Sequence, residues 1–177
     1  MLYYIHGYLS EPKSTKGTLL KKTLNVQPVK YRDCPPEQLI ITECVNNIKK
    51  TIENDKNTIL IGSSLGGLLA AKTAKNNPNV KQLILLNPAI IPPDYDLNKI
   101  PDMPRNILQD MKDRELFETK LPCKIFIIIG TQDNVVPNQW SIKFARVQQA
   151  TIKFLQDDHS LTRNINNLPV IIKQITG

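Results

Sequence analysis

Only two histidines, His6 and His159, and three cysteines, Cys34, Cys44 and Cys123, occur in the 177 residues. That scarcity narrows the chemistry. No group of His, Cys and carboxylate side chains has the spacing of metal ligands. Three well-separated thiols without a C-x-x-C pair fit a reduced cytoplasm better than a disulfide framework. No apolar run approaches the roughly 18 residues that a membrane span needs. The opening Met1-Leu2-Tyr3-Tyr4-Ile5-His6-Gly7 has neither the basic start nor the small-residue cleavage site of a secretory signal, which again points to the cytoplasm. There is no Walker loop and no G-x-G-x-x-G, so neither nucleotide-binding motif is present. Internal repeats and low-complexity tracts are also missing.

What is present is an ordinary globular composition with a net charge of +7. The basic residues are thinly spread. Lys21-Lys22 and Lys49-Lys50 are pairs on helical stretches, and aromatics do not interleave with them as an RNA-binding sheet requires. The charge reads as a solvated surface, and no nucleic-acid partner is expected. The length suits one domain over 1–177 that buries about 70% of its unfolded surface. Its oligomeric state is not legible.

Strand and helix patterns alternate from end to end, which predicts an α/β domain with a parallel sheet. Strands are expected at Leu2–Ile5, Val26–Tyr31, Thr58–Ile61, Val80–Leu86, Lys124–Ile129 and Thr151–Leu155. Ser14 can cap a helix to Leu24, and Pro35-Pro36 open one to about Asn54. A third helix follows residue 64 and ends at Asn76-Asn77-Pro78. Others run from Pro137 to about Val147 and from Ile165 to Ile175. Residues 88–122 break the rhythm with six prolines, too long for an ordinary connection. Within them Asn106–Glu118 has helical apolar spacing, and the segment is expected to form a lid over the sheet's C-terminal edge.

The sharpest signal is Ile59-Leu60-Ile61-Gly62-Ser63-Ser64-Leu65-Gly66-Gly67-Leu68-Leu69-Ala70. A β-type run stops at Gly-x-Ser-x-Gly and a helix-forming run begins, as in a nucleophile elbow. Ser64 is the candidate nucleophile. Its hydroxyl needs a base, and the base an orienting acid. In proteins with this elbow the partners follow in the order Ser, Asp or Glu, His. His159, after the sixth strand, is therefore the candidate base, and Asp133, in the loop after the fifth strand, the candidate acid. Asp157 and Asp158 are second choices. His6 precedes the serine and is expected to hold the first loop by hydrogen bonding. An oxyanion needs two backbone donors, expected from the N–H groups of Leu65 and Tyr8. A strand order of 2-1-3-4-5-6 would bring both loops to the switch point where ligands bind.

These residues resemble the α/β-hydrolase superfamily, specifically the small esterases of the YqiA type. The likeness rests on Tyr4-Ile5-His6-Gly7-Tyr8, Ser10-Glu11-Pro12-Lys13-Ser14, Gly62-Ser63-Ser64-Leu65-Gly66-Gly67, Asn87-Pro88-Ala89, Gln132-Asp133 and His159. It implies a three-layer, mostly parallel sheet of six or seven strands with helices on both faces. It also implies ester hydrolysis without a cofactor by Ser64, Asp133 and His159. The chain departs from that family in placing Asp157-Asp158, not Gly-Asn or Gly-Gly, before the histidine. The expected function is acyl-enzyme hydrolysis of a small carboxylic ester or thioester, with a modest pocket because the lid is short. The alternative is a catalytically silent binding or regulatory protein on the same scaffold.

Overall fold

Alternate residues along each strand supply opposite faces of the sheet, and both faces are apolar. Tyr3, Leu60, Leu83 and Ile127 point into one core, whereas Tyr4, Ile61, Ile84 and Ile128 point into the other. A sheet written this way must be covered on both sides. The computed structural model describes residues 1–177 and shows how. The strands are β1 (Leu2–Ile5), β2 (Gln27–Pro28), β3 (Thr58–Ser63), β4 (Val80–Leu86), β5 (Lys124–Gly130) and β6 (Thr151–Leu155). The helices are α1 (Thr15–Leu24), α2 (Ile41–Ile52), α3 (Leu65–Ala74), α4 (Arg105–Met111), α5 (Asn138–Gln148) and α6 (Leu168–Thr176). All six strands run parallel in the order β2-β1-β3-β4-β5-β6. Helices α2, α3 and α5 cover the larger core, and α1 and α6 the smaller. Each fully buried Leu or Ile side chain contributes about 1.5–3 kcal/mol.

Helix α3 is the hub. Nine of its ten residues are buried, because it lies between the sheet on one side and α2 on the other. Small residues (Gly66, Gly67, Ala70, Ala71, Ala74) allow that close packing. The order reverses between β1 and β3: the chain leaves β1 toward β2 and leaves β3 toward β4. Their following loops diverge there, opening the crevice that an α/β sheet uses for ligands.

Four boundaries differ from the sequence reading. The second strand, expected over Val26–Tyr31, is reduced to Gln27–Pro28. Pro28 has no N–H to give, and after Val29 donates to Tyr4 O (2.9 Å) the edge ladder ends. The helix expected from Pro35 begins as a 3₁₀ turn, Pro36–Gln38. Leu39 is then extended (φ −65°, ψ 147°), and α2 starts only at Ile41. The extended step drops the Leu39 side chain into the core, where it is 2% exposed. In the long segment, the helix expected over Asn106–Glu118 stops at Met111. Asp113 caps a separate 3₁₀ turn, Arg114–Phe117, while Lys72 of α3 and Lys75 just after it hold its carboxylate (3.2 and 3.4 Å). The final helix is likewise divided into a 3₁₀ turn, Ile165–Asn167, and α6. No helix is long and apolar enough to cross a membrane.

Candidate active site

Ser64 joins β3 to α3 with φ 55° and ψ −121°. A side-chain-bearing residue holds such a conformation only where its surroundings over-determine it, at a cost of about 1–3 kcal/mol. The surroundings here are explicit. Ser64 N donates to Leu86 O (3.0 Å), and Ser64 O accepts from Gly67 N (2.9 Å) and Ala89 N (3.0 Å). The turn is so tight that a Cβ at Gly62 would lie 2.4 Å from Gly66 O, and one at Gly66 would lie 2.1 Å from Ile5 O. Only glycine fits those two places. The Ser64 hydroxyl makes no hydrogen bond to a protein group and faces a cleft that His159 also lines.

Asp133 and His159, 26 residues apart, meet at 2.7 Å between Oδ2 and Nδ1. The Asp133 side chain is 1% exposed and the imidazole 19%. The other carboxylate oxygen, Oδ1, accepts the N–H groups of Val135 (2.8 Å) and Val136 (2.9 Å). The loop thus fixes the carboxylate by one oxygen and presents the second to the ring. A carboxylate on Nδ1 holds that nitrogen as the donor and leaves Nε2 as the acceptor.

Asp157 and Asp158 face other partners. Asp157 is fully buried, and its oxygens accept from the N–H groups of Asp158, Arg163 and Asn164 and from Asn164 Nδ2, at 2.8–3.1 Å. Burial disfavours its charge, but those donated bonds prevail and keep the carboxyl below the ordinary value. Asp158 Oδ1 accepts from Thr162 N (3.1 Å). The pair organises the turn after His159 and does not bond to its ring.

Sequence reasoning assigned no role to Asn87, beyond its place in the Asn-Pro-Ala run. It is 2% exposed, with φ 43°. Its Oδ1 accepts from Gly130 N (2.7 Å), and its Nδ2 donates to Asp158 O (3.1 Å) and His159 O (2.9 Å). One side chain at the end of β4 thereby ties the end of β5 to the histidine loop. An asparagine directly before a proline, where a strand ends, was the available signal.

The loop after β1 is held with similar care. Tyr31 Oη donates to His6 O (3.3 Å) and Gly7 O (3.2 Å), and Arg32 Nη2 to Tyr8 O (2.9 Å) and Ser10 O (3.0 Å). His6 Nδ1 is 2.9 Å from Gly7 O, and the ring stacks on Tyr31 with centroids 4.3 Å apart. Burial, offset in part by the Gly7 bond and reinforced by the Arg32 charge, lowers the His6 pKa to about 4. It is a neutral structural group. Gly7 abuts the serine, since a Cβ there would lie 3.3 Å from Ser64 Cβ. The Tyr8 N–H has no protein acceptor, and Leu65, first residue of α3, has none within its helix.

The cleft measures about 1100 Å³, at the top of the range for small-molecule sites. The modest pocket expected from a short lid is therefore not what the chain builds. Residues 89–111 line one side of the cleft at length, mostly with apolar groups. No cysteine lines the cleft, and burial pushes Cys44 and Cys123 up to about 11, away from the thiolate form.

This architecture and topology are those of the α/β hydrolases. The chain belongs to the uncharacterised protein family UPF0227, whose profile matches residues 1–176. No match is found among curated proteins. Among solved structures, Est1E from Butyrivibrio proteoclasticus with ferulic acid bound superposes with a TM-score of 0.80 at 20% identity, covering 99% of this chain and 87% of that one. Mouse α/β hydrolase domain-containing protein 10 gives 0.76 at 18% identity, with 99% and 88% covered. A monoacylglycerol lipase from Paleococcus ferrophilus gives 0.69 at 17%, with 96% and 93% covered.

Proposed function

We propose that this protein is a serine hydrolase that cleaves carboxylic esters or thioesters through an acyl-enzyme, acting in the cytoplasm. One observation carries the reading: the Asp133–His159 pair at 2.7 Å opens onto the cleft that the strained Ser64 enters. Est1E, a monoacylglycerol lipase and other hydrolases on the same fold support it. In this reading His159 Nε2 takes the Ser64 proton as Oγ attacks the acyl carbon, and Asp133 stabilises the imidazolium. The Tyr8 and Leu65 N–H groups receive the oxyanion, each worth about 3–4 kcal/mol in the transition state. The tetrahedral intermediate expels the alcohol or thiol, which takes the proton from His159. Water, deprotonated by His159, then adds to the acyl carbon and frees the acid. Apo geometry often leaves the serine–histidine bond open until substrate binds, so a free Ser64 hydroxyl accords with this sequence of steps. Residues 88–122 serve as the lid.

The test compares hydrolysis of a chromogenic acyl ester by the wild type and by Ser64→Ala and His159→Ala. Each variant is expected to lose about 10³-fold or more in kcat. Equal rates in all three proteins would discard the proposal.

A further inference from the structure

The cleft straddles the sheet's C-terminal edge, and its two sides differ in chemistry. Over the larger core lie Ile91, Met103, Leu108, Met111, Val136 and Trp140, a mainly apolar surface donated mostly by residues 89–111, which also bring Lys99 and Asp102 to the lining. Over the smaller core lie Ser14, Thr15 and Lys16 at the start of α1, with Ser160 and Thr162 after the histidine, beside the less polar Tyr4 and Ile165. Ser64 and His159 line the same cleft. Thr15 and Ser160 leave their hydroxyls without a protein partner. Lys16 Nζ donates to Ser160 O (2.7 Å), which leaves two further ammonium protons for a ligand.

We propose, on the basis of the serine-hydrolase reading, that the substrate is an amphiphilic ester: an apolar acyl chain against the 89–111 wall, joined to a neutral, hydroxyl-bearing alcohol that sits against Thr15, Lys16 and Ser160. The apolar side, with Ile91, Met103, Leu108 and Met111, suits a chain of several methylenes. The other side offers hydroxyls that both donate and accept, matching a polyol. A neutral alcohol is favoured over an anionic one, because Lys16 is the one cation among the lining residues of that lobe and the nearby Asp157 and Asp158 carboxylates offset its charge. The reaction balances with water alone. The C–O bond to the polyol breaks, Ser64 Oγ holds the acyl group, the polyol leaves with the serine proton relayed through His159, and hydrolysis returns the free acid.

The full chain is assayed on 1-octanoylglycerol, ethyl octanoate, 1-acetylglycerol and the octanoyl ester of glycolate. The expected kcat/KM for octanoylglycerol exceeds each of the other three by about tenfold. In Thr15→Val/Ser160→Ala the preference for octanoylglycerol over ethyl octanoate falls from about tenfold to near unity, a loss of about 1.4 kcal/mol for the two hydroxyls together. Met103→Glu is expected to erode the octanoyl-over-acetyl preference. Indifference to the alcohol, or faster turnover of the glycolate ester, overturns the assignment. A fluorophosphonate probe separates the two levels. Labelling of Ser64 with no discrimination among the esters refutes the amphiphilic substrate alone, and no labelling refutes the serine mechanism together with it.

Discussion

Replacing Asn87 removes a side chain that binds three backbone groups, one at the end of β5 and two in the histidine loop. In Asn87→Ala the Gly130 N–H and the Asp158 and His159 carbonyls lose bonds of 2.7, 3.1 and 2.9 Å. At about 0.5–1.5 kcal/mol each, these sum to about 1.5–4.5 kcal/mol. Alanine must also adopt φ 43°, which adds about 1 kcal/mol that glycine would not incur. The expected loss is about 3–5 kcal/mol for Ala and about 1 kcal/mol less for Gly, against a domain stability of about 5–15 kcal/mol. Urea unfolding followed by circular dichroism measures both. Because the freed bonds are those that seat His159, kcat on an acyl ester is expected to drop about 10²-fold even in the folded fraction. KM should move little. A stability change under about 1 kcal/mol in both variants, or a preserved kcat, would refute the role given to Asn87.

Three other substitutions test separate parts of the structure. Asp133→Asn should lower kcat by about 10³–10⁴-fold. Asp157→Asn should instead cost about 2–3 kcal/mol of stability with kcat within a few-fold, and the reverse ranking would identify Asp157 as the acid. Gly66→Ala pushes a methyl to 2.1 Å from Ile5 O. It should destabilise the fold by about 3 kcal/mol or more, and an unchanged melting temperature would contradict the elbow geometry. For His6, burial holds the folded pKa at about 4 against an ordinary 6.5. Between those values the unfolded chain binds a proton that the folded chain does not. His6 therefore lowers stability progressively as pH falls from about 6.5 to about 4, by about 3 kcal/mol in all. His6→Phe should flatten that part of the stability–pH curve, and an unaltered slope would assign it to other groups.

The sheet order and the elbow were legible because both are written locally. The strands are short β-branched or leucine-rich runs, and Gly62 and Gly66 mark the turn by their spacing. Asp133 and His159 could be paired in advance because consecutive parallel strands deliver their following loops to one edge. What escaped the sequence was long-range or a matter of backbone. The contacts of Asn87 are to main-chain groups 43, 71 and 72 residues away, and no side-chain pattern announces them. Arg32 cradles the Tyr8 loop in the same way, from 24 residues beyond. The break in the 106–118 helix goes with Lys72 and Lys75, at the end of another helix, drawing on Asp113. The cleft's size follows from how the proline-rich segment is laid down, and the count of its residues says little about that. Asp157 looked like a spare acid because adjacency to a histidine is visible, whereas its four donors are not.

The central claim is that Ser64, and no other group, forms the covalent acyl bond. Incubating the protein with a fluorophosphonate and mapping the adduct by peptide mass spectrometry tests it directly. The account predicts a single phosphonyl group on Ser64, lost in Ser64→Ala and strongly slowed in His159→Ala. An adduct on Ser63 or on another residue, or a fully folded protein that takes up none, would contradict it.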